Sequence, residues 1–122
     1  MRWVNELEEK LRLYFKALNA FDLTSVEAMF AEDAVYVSSG LNNKEFGRAN
    51  IIAAFKIYFS EFADQISNDT NIRSIGPKSF SSVWRLRATS GKTGILLERT
   101  GTQVTTFNEV GLITHVEVSD AI

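Results

Sequence analysis

The most informative part of the chain is residues 14–35, which read YFKALNAFDLTSVEAMFAEDAV. This stretch begins inside a run in which apolar residues recur at spacings of three and four, and that pattern predicts a helix over residues 3–20. Thr24 and Glu27 form a capping box, which predicts that a second, short helix follows. The β-branched and aromatic residues 34–38 then predict a strand. The first third of the chain is therefore expected to hold two helices and a strand.

The rest of the chain is predicted to contain one more helix and then strands. Residues 39–44 are expected to form a loop, and an apolar stripe predicts a third helix from Gly47 to about Asp64. After this helix the hydrophobic period changes to two, which predicts a short strand around Ile72 and further strands over residues 80–88, 94–107 and 112–119. This order indicates an α+β domain, in which three N-terminal helices pack on one face of a curved antiparallel or mixed sheet.

A predicted bulge at residues 100–102 decides which side chains of the strand over residues 94–107 point inward. If the bulge is present, Glu98 faces the interior of the domain. If it is absent, Arg99 faces the interior instead, which favours an anionic ligand.

Length and charge exclude several classes of protein. The chain has 122 residues, enough for one domain, so residues 1–122 are expected to form a single domain. The net charge is −2, and neither half of the chain has the basic excess that nucleic-acid binding needs. No apolar run approaches the roughly 20 residues of a membrane helix, and the N-terminus lacks the apolar segment of a signal peptide. We therefore expect a cytoplasmic protein that binds neither nucleic acid nor membrane.

The side chains available for metal binding are few. The chain contains no cysteine and one histidine, His115, which excludes disulfides and a conventional zinc or iron site. We expect no metal and no cofactor. His115 alternates with Val116 and Val118, which are predicted to face inward, so His115 is expected on the outer face of the sheet together with Glu117.

Four segments, taken in their order, resemble the nuclear transport factor 2-like superfamily, and within it the SnoaL-like polyketide cyclases and the ketosteroid isomerases. They are residues 14–23, 28–35, 46–51 and 107–120, which together span nearly the whole chain. The resemblance implies a cystatin-like cone, in which a strongly curved sheet encloses a pocket. It also implies a homodimer that forms through the outer face of the sheet. Function does not follow from this fold, since the superfamily includes isomerases, cyclases, dehydratases, binding modules and transport receptors.

The resemblance to ketosteroid isomerases places three functional positions on this chain. The tyrosine that donates a hydrogen bond to the enolate falls on Tyr14, and the second donor falls on Gln103. The position of the aspartate base falls on Ser38, and a serine hydroxyl is not a useful base without a partner. Steroid isomerase activity is therefore not expected, although Tyr14 and Gln103 together would make an oxyanion hole.

The candidate binding residues are aromatic and polar side chains that are expected to surround the pocket. They are Tyr14, Tyr36, Ser38, Phe55, Tyr58, Phe59, Trp84, Gln103 and Thr105. Two functions stay open from the sequence. One is a domain that binds a small apolar or cyclic compound bearing a carbonyl or hydroxyl group. The other is an isomerase, cyclase or dehydratase that acts next to a carbonyl, with Tyr14 and Gln103 as oxyanion donors and an unidentified base.

Overall fold

A computed structural model describes residues 2–41 and 43–120 of the chain. Its elements in chain order are α1 (Arg2–Asn19), α2 (Leu23–Met29), β1 (Phe30–Ser38), a 3₁₀ turn (Ser39–Leu41), β2 (Asn43–Phe46), α3 (Arg48–Glu61), β3 (Ile66–Ser74), β4 (Ser79–Thr89), β5 (Leu96–Phe107) and β6 (Ile113–Asp120). The strands form one sheet in the order β2-β1-β6-β5-β4-β3. Strands β1 and β6 pair in parallel, whereas the other neighbours are antiparallel. The predicted α+β architecture with a mixed sheet is confirmed.

The core lies between the helices and one face of this sheet. Helix α1 contributes Leu7, Leu11 and Tyr14, all fully buried, at the helical spacing seen in the sequence. Helix α3 and the sheet complete the core with Ile51, Ile52, Phe55, Phe80, Phe107, Ile113 and Val116. Among residues 2–41 and 43–120, no helix is both long enough and apolar enough to span a membrane.

Helix α2 begins earlier than the sequence indicated. Its N-cap is Asp22, whose Oδ1 accepts a hydrogen bond from the Ser25 amide at 3.2 Å and whose Oδ2 accepts one from the Ser25 hydroxyl at 2.6 Å. The predicted capping box of Thr24 and Glu27 is therefore wrong. The carboxylate of Asp22, two residues before Thr24, already accepts from the free Ser25 amide at the start of the helix, and Thr24 lies inside the helix.

Two strands differ from the sequence prediction. Residues 43–46 form β2, which pairs with β1 from Val35↔Phe46 to Ser38↔Asn43, although residues 43 and 44 were predicted as part of a loop. Strand β3 extends over nine residues, whereas only a short strand around Ile72 was expected. Both segments are rich in polar residues, and cross-strand pairing rather than hydrophobic alternation holds them in the sheet.

The predicted bulge near Gly101 is wrong. Strands β4 and β5 pair without interruption from Ser79↔Thr106 to Thr89↔Leu96. Gly101 serves close packing instead, since a Cβ atom there would lie 2.6 Å from Cζ2 of Trp84 and 2.0 Å from the carbonyl oxygen of Ser119. Because the register is regular, Arg99 and not Glu98 shares the inner face with Gln103.

Candidate functional site

A cavity of about 90 Å³ lies between the inner face of the sheet and the two longer helices, which is room for roughly six to nine water molecules. Aromatic and aliphatic side chains make up most of its wall, and a few polar groups face into it. Its lining residues are Phe15, Leu18, Asn19, Tyr36, Ser38, Leu41, Phe55, Tyr58, Phe59, Gln65, Ser67, Asp69, Trp84, Leu86, Arg99, Gln103 and Val118. A mostly apolar wall with a few polar groups is typical of small-molecule pockets in general.

Seven of the nine predicted binding residues lie on this wall. They are Tyr36, Ser38, Phe55, Tyr58, Phe59, Trp84 and Gln103. Tyr14 and Thr105 are not on the wall, because both are buried in the core behind it. The Tyr14 hydroxyl and Oγ1 of Thr105 are buried without a hydrogen-bond partner among the described residues.

Helix α3 supplies an aromatic side to the cavity. The rings of Phe55 and Phe59 stack with centroids 5.8 Å apart, and Tyr36 of β1 meets Phe55 edge-on at 5.2 Å. Tyr58 packs edge-on against Phe59 at 5.5 Å. These contacts hold the rings in fixed positions, so this side of the cavity presents a preformed apolar surface to a ring compound.

The opposite side of the cavity holds a carboxylate that the sequence analysis missed. Asp69 lies on β3, paired with Trp84 of β4. Its Oδ2 accepts hydrogen bonds from Nε2 of Gln103 at 2.6 Å and from the hydroxyl of Ser82 at 3.0 Å. Both bonds end on Oδ2, and no hydrogen bond from a described residue ends on Oδ1. Burial raises the pKa of the Asp69 carboxyl above its usual value, and the bonds from Gln103 and Ser82 only partly oppose this rise.

Two tyrosines stand near this carboxylate. Burial raises the pKa of Tyr14 well above 10, and the neighbouring Tyr36 and the charge of Asp69 raise it further. Burial likewise raises the pKa of Tyr36; the neighbouring Tyr14 side chain partly opposes this rise, and the charge of Asp69 adds to it. Both phenols are therefore neutral at physiological pH. Tyr36, which lines the cavity, can donate its proton in a hydrogen bond to a bound molecule.

The mouth of the cavity carries an arginine. Nη2 of Arg99 forms an ion pair with Asp120 and lies 3.4 Å from the hydroxyl of Ser39. The guanidinium carbon is 5.8 Å from the ring centroid of Trp84, over its face. Nearby, the hydroxyl of Tyr58 donates to Oε1 of Gln65. Burial raises the pKa of Tyr58 to about 12, and the charge of Arg99 opposes this rise.

The sequence analysis missed Asp69 because β3 places polar side chains on its inner side and an apolar side chain on its outer side, which is the reverse of the usual pattern. Ile66 of this strand is 57% exposed on the outer side, whereas Ser67 and Asp69 face the cavity. Residues 67–71 of this strand are all polar, and Ile72 further along packs against the core. Hydrophobic alternation therefore gave no signal for the direction in which Asp69 points.

Solved structures of other proteins share the architecture of this chain. The epoxide hydrolase/cyclase-like enzyme SalBIII, described in pyran ring formation in the polyether salinomycin, is 18% identical, with a TM-score of 0.86 over 100% of this chain and 95% of that one. An NTF2-like protein of unknown function from Exiguobacterium sp. 255-15 is 18% identical, with a TM-score of 0.78 over 91% of this chain and 97% of that one. A Mycobacterium tuberculosis protein in complex with estradiol-17beta-hemisuccinate is 18% identical, with a TM-score of 0.75 over 86% of this chain and 85% of that one.

These likenesses establish a shared fold, and the chain has the nuclear transport factor 2-like cone fold that the sequence resemblance predicted. No protein-family model matches the chain, and no curated protein sequence matches it significantly.

Proposed function

We propose that this protein is an enzyme that moves a proton on a small, largely apolar ring compound bearing a carbonyl or hydroxyl group. The observation that carries the proposal is the carboxylate of Asp69, which faces an aromatic cavity and has a raised pKa. A carboxylate in such surroundings is suited to general acid–base catalysis. It supplies the base that the sequence left unidentified, and so favours catalysis over binding alone.

The proposed step is enolisation of a carbonyl compound. Oδ1 of Asp69 takes a proton from the carbon next to the carbonyl, and the C–H electron pair forms the C=C bond of the enolate. The electrons of the C=O bond move onto oxygen, where the neutral hydroxyl of Tyr36 donates a hydrogen bond. The carboxylic acid of Asp69 then returns its proton to a carbon of the enolate. No redox partner is needed, because the reaction only relocates a proton and a double bond.

The remaining polar groups act by positioning these two. Gln103 was expected to donate to the substrate oxygen, but its Nε2 donates to Asp69, so we assign it and Ser82 to holding the carboxylate. Tyr14 lies behind Tyr36 in the core, so it affects the substrate through Tyr36 and not by contact.

Two proteins with the same fold support this class of ligand. SalBIII is described as acting in pyran ring formation, and the Mycobacterium tuberculosis protein was solved with a steroid derivative. Both involve ring compounds that carry oxygen. An aromatic cavity with a few polar groups suits the same kind of molecule in this protein.

The test is proton exchange on a small cyclic ketone. 2-Tetralone dissolved in D₂O loses the NMR signals of the protons next to its carbonyl as they exchange, and the protein should accelerate this loss. Asp69→Asn should slow the catalysed exchange by about 100-fold or more, since general acid–base groups contribute roughly 10²–10⁴-fold. The matched control is Asp33→Asn, which removes an exposed carboxylate on β1 and should leave the rate unchanged. Exchange by Asp69→Asn at the wild-type rate would contradict the proposal, and binding of 2-tetralone without exchange would favour the binding function.

The outer face of the sheet is proposed as the surface of a homodimer, as the sequence resemblance implies. Arg85 and Arg87 are exposed there, and neither forms an ion pair with a described residue. Glu98 and Glu117 are exposed on the same face, so a two-fold axis would bring opposite charges together. Sedimentation of the wild type should give a dimer, and a monomer at micromolar concentration would contradict it. A cytoplasmic location stays a prediction from the sequence.

A further inference from the structure

We propose that the substrate of this cavity carries a carboxylate, which Arg99 binds at the mouth while the ring of the substrate lies against the aromatic wall. This inference rests on the proposed function and names the class of its substrate: a ring compound with an acidic side group. Three properties of the Arg99 guanidinium support it: the direction in which the group points, its unused donors and its position.

The regular register of the sheet points Arg99 inward. Leu86 of β4 is its partner, and both residues line the cavity. The guanidinium lies over the face of Trp84, 5.8 Å from the ring centroid, and 25% of the side chain is exposed. A cation stacked on an aromatic ring and partly shielded from water is fixed in orientation, so it binds an anion with less loss of side-chain freedom than a mobile surface arginine does.

Some N–H donors of Arg99 are not used by any described residue. Its contacts with Asp120 and Ser39 both use Nη2, and neither Nη1 nor Nε forms a hydrogen bond with a described residue. The planar fork of an arginine binds a carboxylate through two parallel N–H···O bonds. Asp120 therefore holds the group in place through one nitrogen and leaves two nitrogens for a ligand.

The position of Arg99 relative to Asp69 sets the size of the substrate. Asp69 lies in the row Asp69↔Trp84↔Gly101, and Arg99 lies two strands across and two residues along the same inner face. Sheet geometry places their Cα atoms roughly 12 Å apart. Both side chains reach inward, so one or two fused rings bridge the gap between a carbon beside Asp69 and a carboxylate beside Arg99. This separation also keeps the carboxylate of the substrate away from the charge of Asp69.

The test uses two probes of the same shape, 2-naphthoate and 2-naphthamide, which differ by one negative charge. Isothermal titration calorimetry with the wild type should show that 2-naphthoate binds at least about tenfold more tightly, as expected for one charge-assisted bidentate contact. Arg99→Gln should remove this preference while 2-naphthamide binds as before. The matched control is Arg12→Gln, which removes the same charge from the exposed face of α1 and should keep the preference.

Three results would overturn the inference: equal binding of the two probes by the wild type, no binding of 2-naphthoate at millimolar concentration, or an Arg99→Gln variant that keeps the preference. Circular dichroism checks that the variants are folded, and if Arg99→Gln is not, Arg99→Lys replaces it. Lysine keeps the charge and loses the fork, so the preference should fall without vanishing. The proposed function is tested separately, since 2-tetralone carries no charge and its exchange depends on Asp69 and not on Arg99.

Discussion

The carboxylate of Asp69 is held in its place by two donors that reach one oxygen. Gln103 and Ser82 both donate to Oδ2, and Ser82 is only 3% exposed, so water competes little for these bonds. The pKa of Asp69 is nevertheless raised, because loss of solvation outweighs the two bonds. The charged form of this side chain therefore destabilises the fold at neutral pH.

Asp69→Asn should consequently raise the melting temperature at pH 7. A carboxyl whose pKa is higher in the folded state than in the unfolded chain penalises folding once it is ionised. The penalty is fully present above the folded pKa and disappears as the pH falls below the unfolded value of about 3.9. Asparagine keeps an oxygen to accept from Gln103 and Ser82 but carries no charge. Thermal melts between pH 4 and 8 should show a gain that shrinks as the pH falls.

Asp64 provides a control of opposite sign. Its Oδ1 accepts a hydrogen bond from the Thr89 amide at 2.8 Å, and this bond lowers its pKa. Its stabilising effect is present above the unfolded pKa and is lost as the pH falls through the folded one. Asp64→Asn should therefore lower the melting temperature at pH 7 and have less effect in acid. If Asp69→Asn followed the trend of Asp64→Asn, the account of Asp69 would be wrong.

Individual site residues were only partly predictable from the sequence. The inward positions of β1 and β4 follow from alternation, which is why Tyr36 and Trp84 were predicted near the cavity, whereas Phe55 on α3 was predicted there from the family resemblance. Asp69 was not predictable in this way, because its role comes from a register with β4 that joins residues 13 positions apart. The partner of Gln103 could not be predicted for the same reason.

At the scale of elements, edge strand β3 is joined to α1 beside the cavity. Nδ2 of Asn19 donates to the carbonyl oxygen of Ser67 at 2.7 Å, and its Oδ1 accepts from the Ser67 amide at 3.0 Å. The amide side chain thus takes the place of a neighbouring strand on the unpaired edge. This contact fixes the strand that carries Asp69 relative to the helices.

Asn19→Ala should destabilise the protein by about 1–2 kcal/mol, since two hydrogen bonds to the backbone are lost. Urea denaturation measures the loss. Asn5→Ala is the control, because Asn5 is exposed on the same helix and makes no side-chain hydrogen bond to a described residue. Equal stability of the two variants would show that the contact with Ser67 does not hold β3.

Gly101 fixes the packing of β4 on β5. Its missing side chain makes room for the indole of Trp84, whose Nε1 donates to the carbonyl oxygen of Thr102 at 3.0 Å. Gly101→Ala should cost about 1–3 kcal/mol or more, because the strands or the indole must shift. Gly76→Ala is the control, since a Cβ there would lie at an ordinary 3.8 Å from the nearest atom, Cβ of Ser79. Denaturation curves that leave Gly101→Ala unaffected would contradict this role.

Elements rich in apolar residues were predicted well, and polar strands were not. The helices α1 and α3 are close to their predicted bounds: α1 buries an apolar stripe, whereas α3 is apolar nearly all round, with Ile51, Ile52 and Phe55 buried and Ile57 exposed. Strands β2 and β3 depend on pairing with distant segments, so their local sequences carry little signal. The predicted bulge shows the same limit, because a glycine in a strand indicates either a bulge or close packing and the sequence alone does not distinguish them.

The whole molecule places its cavity on one side of the sheet. The helices cover the inner face around the cavity, and the outer face carries exposed charges. Resemblance in the sequence predicted this fold, since short segments in a fixed order are characteristic of it. It could not predict the reaction, because the fold supports several activities and each depends on which residues face the cavity.

Titration of the Asp69 carboxyl decides whether this group is the base for proton transfer in the cavity. The carboxyl ¹³C signal of Asp69 is followed from pH 3 to 8, in parallel with the rate of 2-tetralone exchange. We expect a midpoint above the ordinary value of about 3.9 and an exchange rate that rises with pH through the same midpoint, since the base must be ionised to accept a proton. A midpoint at or below that value, or a rate that does not follow the titration, would show that Asp69 is not the base.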